Sequence, residues 1–465
     1  MRSVTRLSFV LFALAGPGVA AAGGFTTTRF GGEDGHAATE NPVAAFYNPA
    51  GLAYGEGTRG YVEGLFAYRT VDYNRDPGAI DNAGTRTPTD AIDRNSGKAT
   101  LGNPIVSPFL GVVTDAGIPG LGIGLAVSVP FGGQAKWDKD DRFANDATYP
   151  GAVDSAARWA SIEGEQRSLY YTLGVGWRTA DGRFGVGAAL NVVQSKISLV
   201  RARNFDGTDD LVRADGAIAE GRSLLEVDSI DLAASIGLMW KPTHCSRIGI
   251  SYHSQPGFGE TTLAGTLTNQ FGDSSPTTID VDLRQSLPDS IRIGGLWRAM
   301  HKVVLHAAID YQRWSKFKNQ CFTVPGAPAS TCEADDDGFV TDTGDLILNI
   351  PRAWKDTYGI RVGGTYEASD TLAVQAGVLY DSNAVPDATL DPALIDTDKI
   401  IPQLGIRYQV GKVDVHATAG NVFYLSRTTA PRAVDPPGAK NRNPDMAGDY
   451  ATSVTYLLLG VGVHM

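Results

Sequence analysis

Basic side chains at alternating positions are the residues of this chain best suited to bind a ligand. The four candidates are Arg292, Arg361, Arg407 and His306. Alternate residues of a strand point to opposite faces, so each of these cations would lie on the polar face of its strand, opposite an apolar face. A guanidinium holds a buried carboxylate through charge-assisted hydrogen bonds. The four residues could therefore bind an anionic head group, or they could pair with acidic residues of the same wall such as Asp310.

Aromatic residues form a second candidate group, because they stand among charged residues in the segment 131–165. The group includes Trp137, Phe143 and Trp159. A long loop of this kind packs on itself, and any apolar surface that it leaves open would suit an apolar ligand. The alternative is that these rings form only the loop's own small core or an anchor at a membrane interface. The pattern is compatible with both.

Catalysis and metal binding have little support in the residue pattern. A serine hydrolase needs a Ser and a His with an orienting group, but no Ser stands in a Gly-x-Ser-x-Gly motif, and His306 and His416 fall in mid-strand. The acidic run 335–338 resembles a calcium loop, yet Gly344 stands where that loop needs Glu. We expect no catalytic residue, no metal and no cofactor, with a lipid hydrolase as the enzymatic alternative.

Charge and hydropathy narrow the class of protein. The 465 residues carry a formal charge of −11, which argues against nucleic acid as a partner. Beyond residue 22 no apolar run approaches the ~18 residues of a membrane-spanning helix. Residues 1–22 have the form of a secretory signal, with Arg2 and Arg6 before an apolar run and Ala at positions 20–22. The mature chain is expected to begin at Gly23.

Segments of alternating hydrophobicity fill the chain from residue 58 to its end. They predict about fourteen strands, at 58–71, 103–114, 121–130, 166–179, 183–200, 224–240, 247–258, 277–298, 302–317, 346–367, 371–381, 400–410, 413–426 and 450–464. Their connections alternate between short turns and long polar loops. An even number of antiparallel strands with this asymmetry is typical of an outer-membrane β-barrel.

The parity of individual strands agrees with a barrel. Leu305 and Ile309 fall on one face, whereas His306 and Asp310 fall on the other. The C-terminal strand likewise collects on one face Leu457, Leu459, Val461, Val463 and Met465. A soluble β-sandwich would also alternate, but its strands would be shorter than these. Strand length and the secretory signal therefore favour an all-β transmembrane barrel over residues 58–465.

The stretch 41–52 interrupts this regularity before the first strand. It contains two Asn-Pro turn starts and a Gly, so it cannot be a regular helix or strand, yet it is too apolar for an exposed loop. We interpret residues 23–57 as a compact hatch inside the barrel. Its central residues are Phe46, Asn48, Pro49, Ala50 and Gly51.

The three cysteines suggest one cross-link. Cys321 and Cys332 enclose a short Pro-rich segment and could form a disulfide in an oxidising compartment. Cys245 stands in a predicted tight turn without a partner, and we interpret it as an unreactive single thiol.

Three motifs, in order, resemble those of the FadL family of outer-membrane transporters. The first is Phe-Tyr-Asn-Pro-Ala-Gly-Leu at 46–52, and the second runs from Leu-Pro-Asp-Ser at 287–290 to Phe317. The third begins with Trp-Lys-Asp-Thr-Tyr-Gly at 354–359 and continues to Gly-Ile-Arg-Tyr at 405–408. The likeness covers essentially the mature chain. Two departures are the Thr-, Gly- and charge-rich segment 23–40 and Met465, where the family usually ends in an aromatic residue.

The resemblance implies a monomeric fourteen-stranded barrel in the outer membrane of a Gram-negative bacterium, closed by an N-terminal hatch. Its ligand would be a hydrophobic small molecule, a long-chain fatty acid first and a monoaromatic hydrocarbon or alkane as the alternative. The family releases its ligand into the membrane lipid through an opening beside an inward-bent strand. Our candidate for that strand is 121–130, where Gly122 and Gly124 would permit a bulge or, alternatively, ease packing against the hatch. A passive porin for polar solutes is the third possibility.

Overall fold

The computed structural model describes residues 30–82 and 85–465. The predicted secretory signal and the first residues of the hatch, 23–29, lie outside the described residues. Among the residues described, no helix has both the length and the apolar character needed to cross a bilayer.

The described residues form nineteen strands. In chain order these are β1 Thr58–Arg75, β2 Gly97–Thr114, β3 Leu121–Lys136, β4 Glu163–Arg178, β5 Phe184–Arg203, β6 Gly221–Thr243, β7 Ser246–His253, β8 Thr261–Gln270, β9 Thr277–Gln285, β10 Ser290–Met300, β11 Val303–Gln312, β12 Asn319–Thr323, β13 Leu346–Pro351, β14 Thr357–Glu367, β15 Leu372–Asp381, β16 Lys399–Val410, β17 Val413–Tyr424, β18 Arg427–Thr428 and β19 Gly448–His464.

Helical structure in the described chain is short. One α-helical turn, α1, spans Ala44–Tyr47, and the remaining helices are of the 3-10 type. The 3-10 helices are Gly32–Asp34, Pro49–Tyr54, Pro77–Ala79, Thr89–Arg94, Asp141–Phe143, Pro150–Asp154, Ala156–Trp159, Pro256–Phe258, Trp314–Lys316, Ala329–Cys332 and Asp387–Thr389.

Fourteen of these strands close into an antiparallel barrel, as the sequence predicts. The ring runs from β1 to β7 in order and continues through β10, β11, β14, β15, β16, β17 and β19. It closes where β19 pairs with β1, from Arg59 opposite His464 to Arg75 opposite Gly448. The short turns lie at the end of the barrel that carries Thr58 and His464, which we call the turn end. The long connections lie at the opposite, loop end.

Four strands extend the wall beyond the loop end, and the sequence prediction missed this extension. β8 pairs with the outer part of β6, β9 with β8, β12 with β9, and β13 with β12. The predicted strands 277–298 and 346–367 are each two strands, because the first contains Pro288, which has no N–H for a ladder, and the second leaves the sheet between Pro351 and Thr357. Alternation continues across both breaks, so parity alone could not reveal them.

The two faces of the barrel wall separate as their parity predicts. On β11, Leu305 and Ile309 are 43% and 50% exposed, whereas His306 is 5% exposed. On β19, Leu457, Leu459, Val461 and Val463 all point outward. Apolar side chains therefore face the surrounding lipid, and polar ones face the lumen.

Glycines on the lumen face let the hatch backbone lie directly against the wall. A Cβ added at Gly187 would stand 2.3 Å from the Ala50 nitrogen, and one added at Gly249 would stand 1.9 Å from the Ala37 oxygen. Gly122, Gly176 and Gly237 of neighbouring strands face the hatch in the same way. These distances leave no room for any side chain, so the wall and the hatch fit each other only where glycine lines the wall.

We predict that Gly187→Ala displaces the hatch without opening the barrel, because overpacking costs about 1–3 kcal/mol and the barrel ladders do not depend on that contact. Hydrogen exchange of residues 30–57 should rise, while the heat-modifiable migration that marks a closed barrel should persist. Gly60→Ala is the matched control, since nothing lies within 4 Å of a Cβ there. Equal exchange in both variants would contradict the prediction.

Candidate functional site

The hatch fills the turn end of the lumen and is built around Asn48. The Asn48 side chain accepts a hydrogen bond from the Ala50 nitrogen at 3.1 Å, which caps the 3-10 helix that begins at Pro49. Its amide group donates to the Ala37 oxygen at 2.7 Å and to the Leu238 oxygen of β6 at 2.9 Å. One buried side chain thus ties two hatch segments to the wall, which explains the Asn-Pro pair.

Charged residues of the wall hold the hatch as well. The Glu63 carboxylate accepts from the Gly31 nitrogen at 2.9 Å and from the Tyr61 hydroxyl at 2.7 Å. Lys241 and Arg247 pair with Glu40 of the hatch. Both a carboxylate and two cations of the wall therefore bind the hatch and hold it in the lumen.

Three of the four predicted cationic ligands form a hydrogen bond or an ion pair with the hatch. Arg361 donates to the backbone oxygens of residues 32 and 35, at 3.2 and 2.8 Å. His306 lies 3.3 Å from the His36 ring nitrogen, and Arg407 lies 3.5 Å from Asp34. These contacts give each side chain a role within the protein, and a ligand role for them stays a prediction.

Arg292, the fourth predicted ligand, lies above the hatch. Its guanidinium is 4.6 Å from the Phe46 ring centre, 3.0 Å from the His253 ring nitrogen and 3.6 Å from Asp310. It lines a small cavity of about 20 Å³ between the hatch and Phe131. The alternative partner Asp310 is thus close to Arg292, and ligand binding there also stays a prediction.

Two larger cavities occupy the loop half of the barrel. The vestibule, of about 540 Å³, lies among the long loops and is lined by Trp159, Arg201, Phe339 and Pro386 among others. The inner cavity, of about 80 Å³, lies deeper and is lined mainly by apolar side chains, including Ile197, Leu225, Phe322 and Ile395. Both are bordered by Leu199, Ile350, Arg352 and Ala393, so they adjoin.

The predicted aromatic group is largely buried. Trp137 and Trp159 are 3% and 1% exposed and belong to a large apolar cluster beneath the loops. Phe143 packs under the guanidinium groups of Arg94 and Arg142, 5.3 and 5.1 Å from its ring centre. Trp137 and Trp159 therefore belong to a core that includes Val71 and Leu101 of the barrel wall. Trp159 also borders the vestibule, and a ligand role for the three rings stays a prediction.

The barrel wall is interrupted between β2 and β3. Their ladder ends where Phe109 pairs with Ser128. One extra residue of β3 between Ser128 and Phe131 forms a bulge against β4, at Pro130, which has no backbone N–H. Beyond the bulge β3 continues along β4, and the chain next meets β2 where the Asp138 nitrogen donates to the Thr100 oxygen at 2.9 Å. We call the interval between residues 101–108 and 129–136 the wall window.

The bulge lies at the end of the predicted strand 121–130, and we call residues 131–136 beyond it the bent part of β3; the predicted glycines lie elsewhere. Gly122 and Gly124 belong to the paired part of β3, where a Cβ would stand 2.1 Å from the Leu52 oxygen and 3.0 Å from a Leu52 methyl group. They ease packing against the hatch, which was the alternative interpretation. The bend begins higher, at the bulge beside Pro130.

Sequence reasoning missed the lining of the inner cavity. Arg69 of β1, Gln134 of β3 and Gln166 of β4 all border it. Parity could have found Arg69, because it lies on the same face of β1 as Glu63 and Leu65. The other lining residues come from strands and loops that are distant in sequence, and no local pattern unites them.

Cysteines and acidic residues add no reactive centre to the described chain. Cys321 and Cys332 form a disulfide, with Cα atoms 5.7 Å apart, while Cys245 is exposed. No group of His, Cys, Asp or Glu among the described residues has the arrangement to hold a metal ion. In the acidic run, Asp335 accepts from the nitrogens of Asp337 and Phe339 and so shapes a turn.

Titratable groups within the hatch are perturbed by their burial. Burial lowers the pKa of the His36 imidazole well below its ordinary value, and His306, Arg361 and Arg247 lower it further. Burial alone would raise the pKa of the Glu40 carboxyl, but Arg247 and Lys241 hold it below its ordinary value. The docked hatch therefore carries a neutral His36 and an ionised Glu40.

Comparison with known proteins gives the same picture for sequence and fold. The family model described as outer membrane protein transport protein (OMPP1/FadL/TodX) matches residues 19–430. An outer membrane protein of Neisseria meningitidis serogroup B is 23% identical over 414 residues, 85% of this chain and 84% of the relative. The long-chain fatty acid transport protein of Escherichia coli K12 is 23% identical over 130 residues, 28% of this chain and 25% of the relative.

Two solved structures share the architecture. A Pseudomonas aeruginosa FadL homologue superposes with a TM-score of 0.74 at 18% identity, covering 96% of this chain and all (100%) of that one. The Ralstonia pickettii toluene transporter TbuX superposes with a TM-score of 0.60 at 16% identity, covering 91% of this chain and 94% of that one.

We predict that the docked hatch weakens as pH falls below about 6.5, the ordinary pKa of His. Above that pH His36 is neutral whether docked or not; below it only the undocked form protonates, which costs docking up to about 1.4 kcal/mol per pH unit. Hydrogen exchange of residues 30–57, corrected for intrinsic rate, should rise between pH 7.5 and 5.5. His36→Asn should diminish the rise, and an unchanged rise in that variant would contradict the assignment.

Proposed function

This chain belongs to the OMPP1/FadL/TodX family of outer membrane transport proteins, and from that premise we propose that it carries long-chain fatty acids through the outer membrane. The family transports hydrophobic compounds, and its members are transporters or channels rather than enzymes. The protein resides in the outer membrane of a Gram-negative bacterium. Its long loops then face the medium and its short turns face the periplasm.

One observation supports the proposal above all others. The vestibule adjoins an apolar inner cavity, and that cavity is bordered by Gly133, Gln134 and Ala135, which belong to the bent part of β3 at the wall window. The two cavities thus form a path from the loop end toward the wall window, and the inner part of that path is mainly apolar. The hatch blocks the straight path to the periplasm.

Physical chemistry favours such a path for a long acyl chain. Each methylene gains about 0.8 kcal/mol in apolar surroundings, so a dozen of them sum to roughly 10 kcal/mol. A water-filled pore offers no site where that energy is realised. The mainly apolar inner cavity does, and a lateral exit would let the chain pass into lipid without crossing water.

The mechanism we propose has three steps. The vestibule captures the ligand, the inner cavity receives it, and the wall window releases it sideways into the membrane. In this proposal release follows a shift of the first hatch residues from Gly23, of which 23–29 lie outside the described residues. Throughout, no residue needs to act as an acid, base or nucleophile, so the proposal excludes an enzymatic role.

Uptake of a monoaromatic hydrocarbon or alkane by the same route is the second candidate. The fold shared with the toluene transporter TbuX is compatible with this candidate. At 16% identity that likeness bears on the fold and not on the cargo. Fatty acids and hydrocarbons differ in the head group, so they can be separated by experiment.

We expect saturable uptake of labelled oleate by a Gram-negative strain that lacks its own transporter and expresses this chain. The same cells should be tested with labelled toluene, with empty-vector cells as the control. Toluene uptake without oleate uptake would replace the first candidate by the second. Uptake of neither, with the barrel correctly inserted, would contradict both.

Lateral release gives a separate prediction. Gly133 lies in the bent part of β3, borders the inner cavity and has nothing within 4 Å of an added Cβ. Gly133→Phe should therefore fold normally, place a ring in the path and reduce oleate uptake several-fold. Gly60→Phe is the control, because nothing lies within 4 Å of an added Cβ there either, but Gly60 lies on the outer face of β1. Wild-type uptake in Gly133→Phe would argue against the window as the exit.

A further inference from the structure

We propose that Arg69 binds the carboxylate of the cargo in the inner cavity, beside the wall window, and makes the pathway selective for anionic over neutral apolar molecules. This inference rests on the proposed function, because it assigns the head-group chemistry of the transported molecule. It also differs from the sequence prediction, which selected four other cationic residues.

The surroundings of Arg69 leave most of its hydrogen-bonding capacity unused. The side chain projects into the lumen from β1 and is 9% exposed. Its protein contact is a donation from Nη1 to the Gln134 backbone oxygen at 3.4 Å. Within the described chain no carboxylate forms an ion pair with it. A guanidinium has five N–H donors, and a buried cation without a counter-ion is costly.

Some neighbouring polar groups around the cavity also have no hydrogen-bond partner among the described residues. The Gln166 amide nitrogen and the hydroxyls of Ser161 and Thr452 border the cavity and are buried without a hydrogen-bond partner. Glu165 is the one acidic residue among the described lining residues, and its carboxylate faces Arg167 at 3.5 Å. Arg69 and the Gln166 amide nitrogen can only donate, and the two hydroxyls can also donate, so the site suits a ligand that only accepts, such as a carboxylate.

The other cation of the inner cavity is already satisfied. Arg352 donates to the Gln320 side-chain oxygen at 3.0 and 2.7 Å and forms an ion pair with Asp391 at 2.7 Å. It has less to gain from a ligand than Arg69 has. The same comparison sets Arg69 apart from Arg361, whose guanidinium donates to the hatch backbone.

The position of Arg69 fits a head group with an apolar tail. Apolar residues line another part of the inner cavity, and Leu199 and Ile350 continue into the vestibule. Gln134, which Arg69 contacts, belongs to the bent part of β3. A carboxylate at Arg69 therefore lies beside the wall window while the tail extends back toward the vestibule. A neutral hydrocarbon would leave these donors unsatisfied.

The test compares two ligands that differ only in the head group, oleate and oleyl alcohol, by equilibrium binding of the labelled molecules to purified protein in detergent at pH 8. We expect wild type to prefer oleate. Arg69→Gln should lose at least about tenfold in oleate affinity with oleyl alcohol affinity unchanged, and Arg69→Lys should retain most of the oleate affinity. Arg142→Gln, which removes the same charge from an exposed loop pair with Asp140, should match wild type.

Other outcomes separate this inference from the proposed function. Equal wild-type affinity for the acid and the alcohol would overturn the role of Arg69 and leave hydrophobic transport standing, and this comparison needs no variant to fold. Oleate binding unchanged in Arg69→Gln, or both ligands lost equally in a variant with a closed barrel, would also overturn it. Binding of neither ligand by wild type would contradict the proposed function itself.

Discussion

The closed backbone ladder is the constraint on which the rest of this structure depends. Inside a bilayer every backbone N–H and C=O must be bonded within the protein, so a sheet crosses only if its edges meet. Here β19 meets β1 over seventeen residues of each strand, from Arg59 to Arg75 on β1. In the closed ring of fourteen strands, apolar side chains point outward and polar ones point into the lumen. A strand can leave this ladder only where its backbone pairing is interrupted, as it is at the bulge beside Pro130.

Within that ring, the hatch and the wall are shaped for each other. Glycine faces the hatch where its backbone touches the wall, as at Gly187 and Gly249, and charged or amide groups face it where bonds are made, as at Glu63 and Arg361. Most of the polar residues that line the turn half of the lumen are therefore occupied in sealing it. Arg69, which lies in the loop half and does not bind the hatch, is better placed to bind a ligand.

Cavities, window and hatch together describe a path that turns sideways. Apolar surface begins among the loops, continues past Leu199 and Ile350, and reaches the bent part of β3. A molecule that gains energy from apolar surroundings is guided along it, whereas a polar solute finds a closed seal below. Separate features thus support the proposed function: the hatch fills the turn end of the lumen, and β2 and β3 are unpaired beside the bulge.

The sequence by itself determined the barrel, the number of its strands, the orientation of each face and the presence of the hatch, because a period of two and the spacing of turns are local properties. It could not find the extension strands β8, β9, β12 and β13, since alternation does not say where a strand leaves the wall. Nor could it separate Arg69 from Arg361. Parity assigns a face to each residue but does not identify its partner across the lumen, which depends on closure and on the bend of β3. That bend brings Gln134 beside Arg69, which lies 65 positions earlier in the chain. Only the tertiary structure decided which lumen cations are bonded within the protein, and that Arg69 is among those whose donors stay largely unused in the described chain.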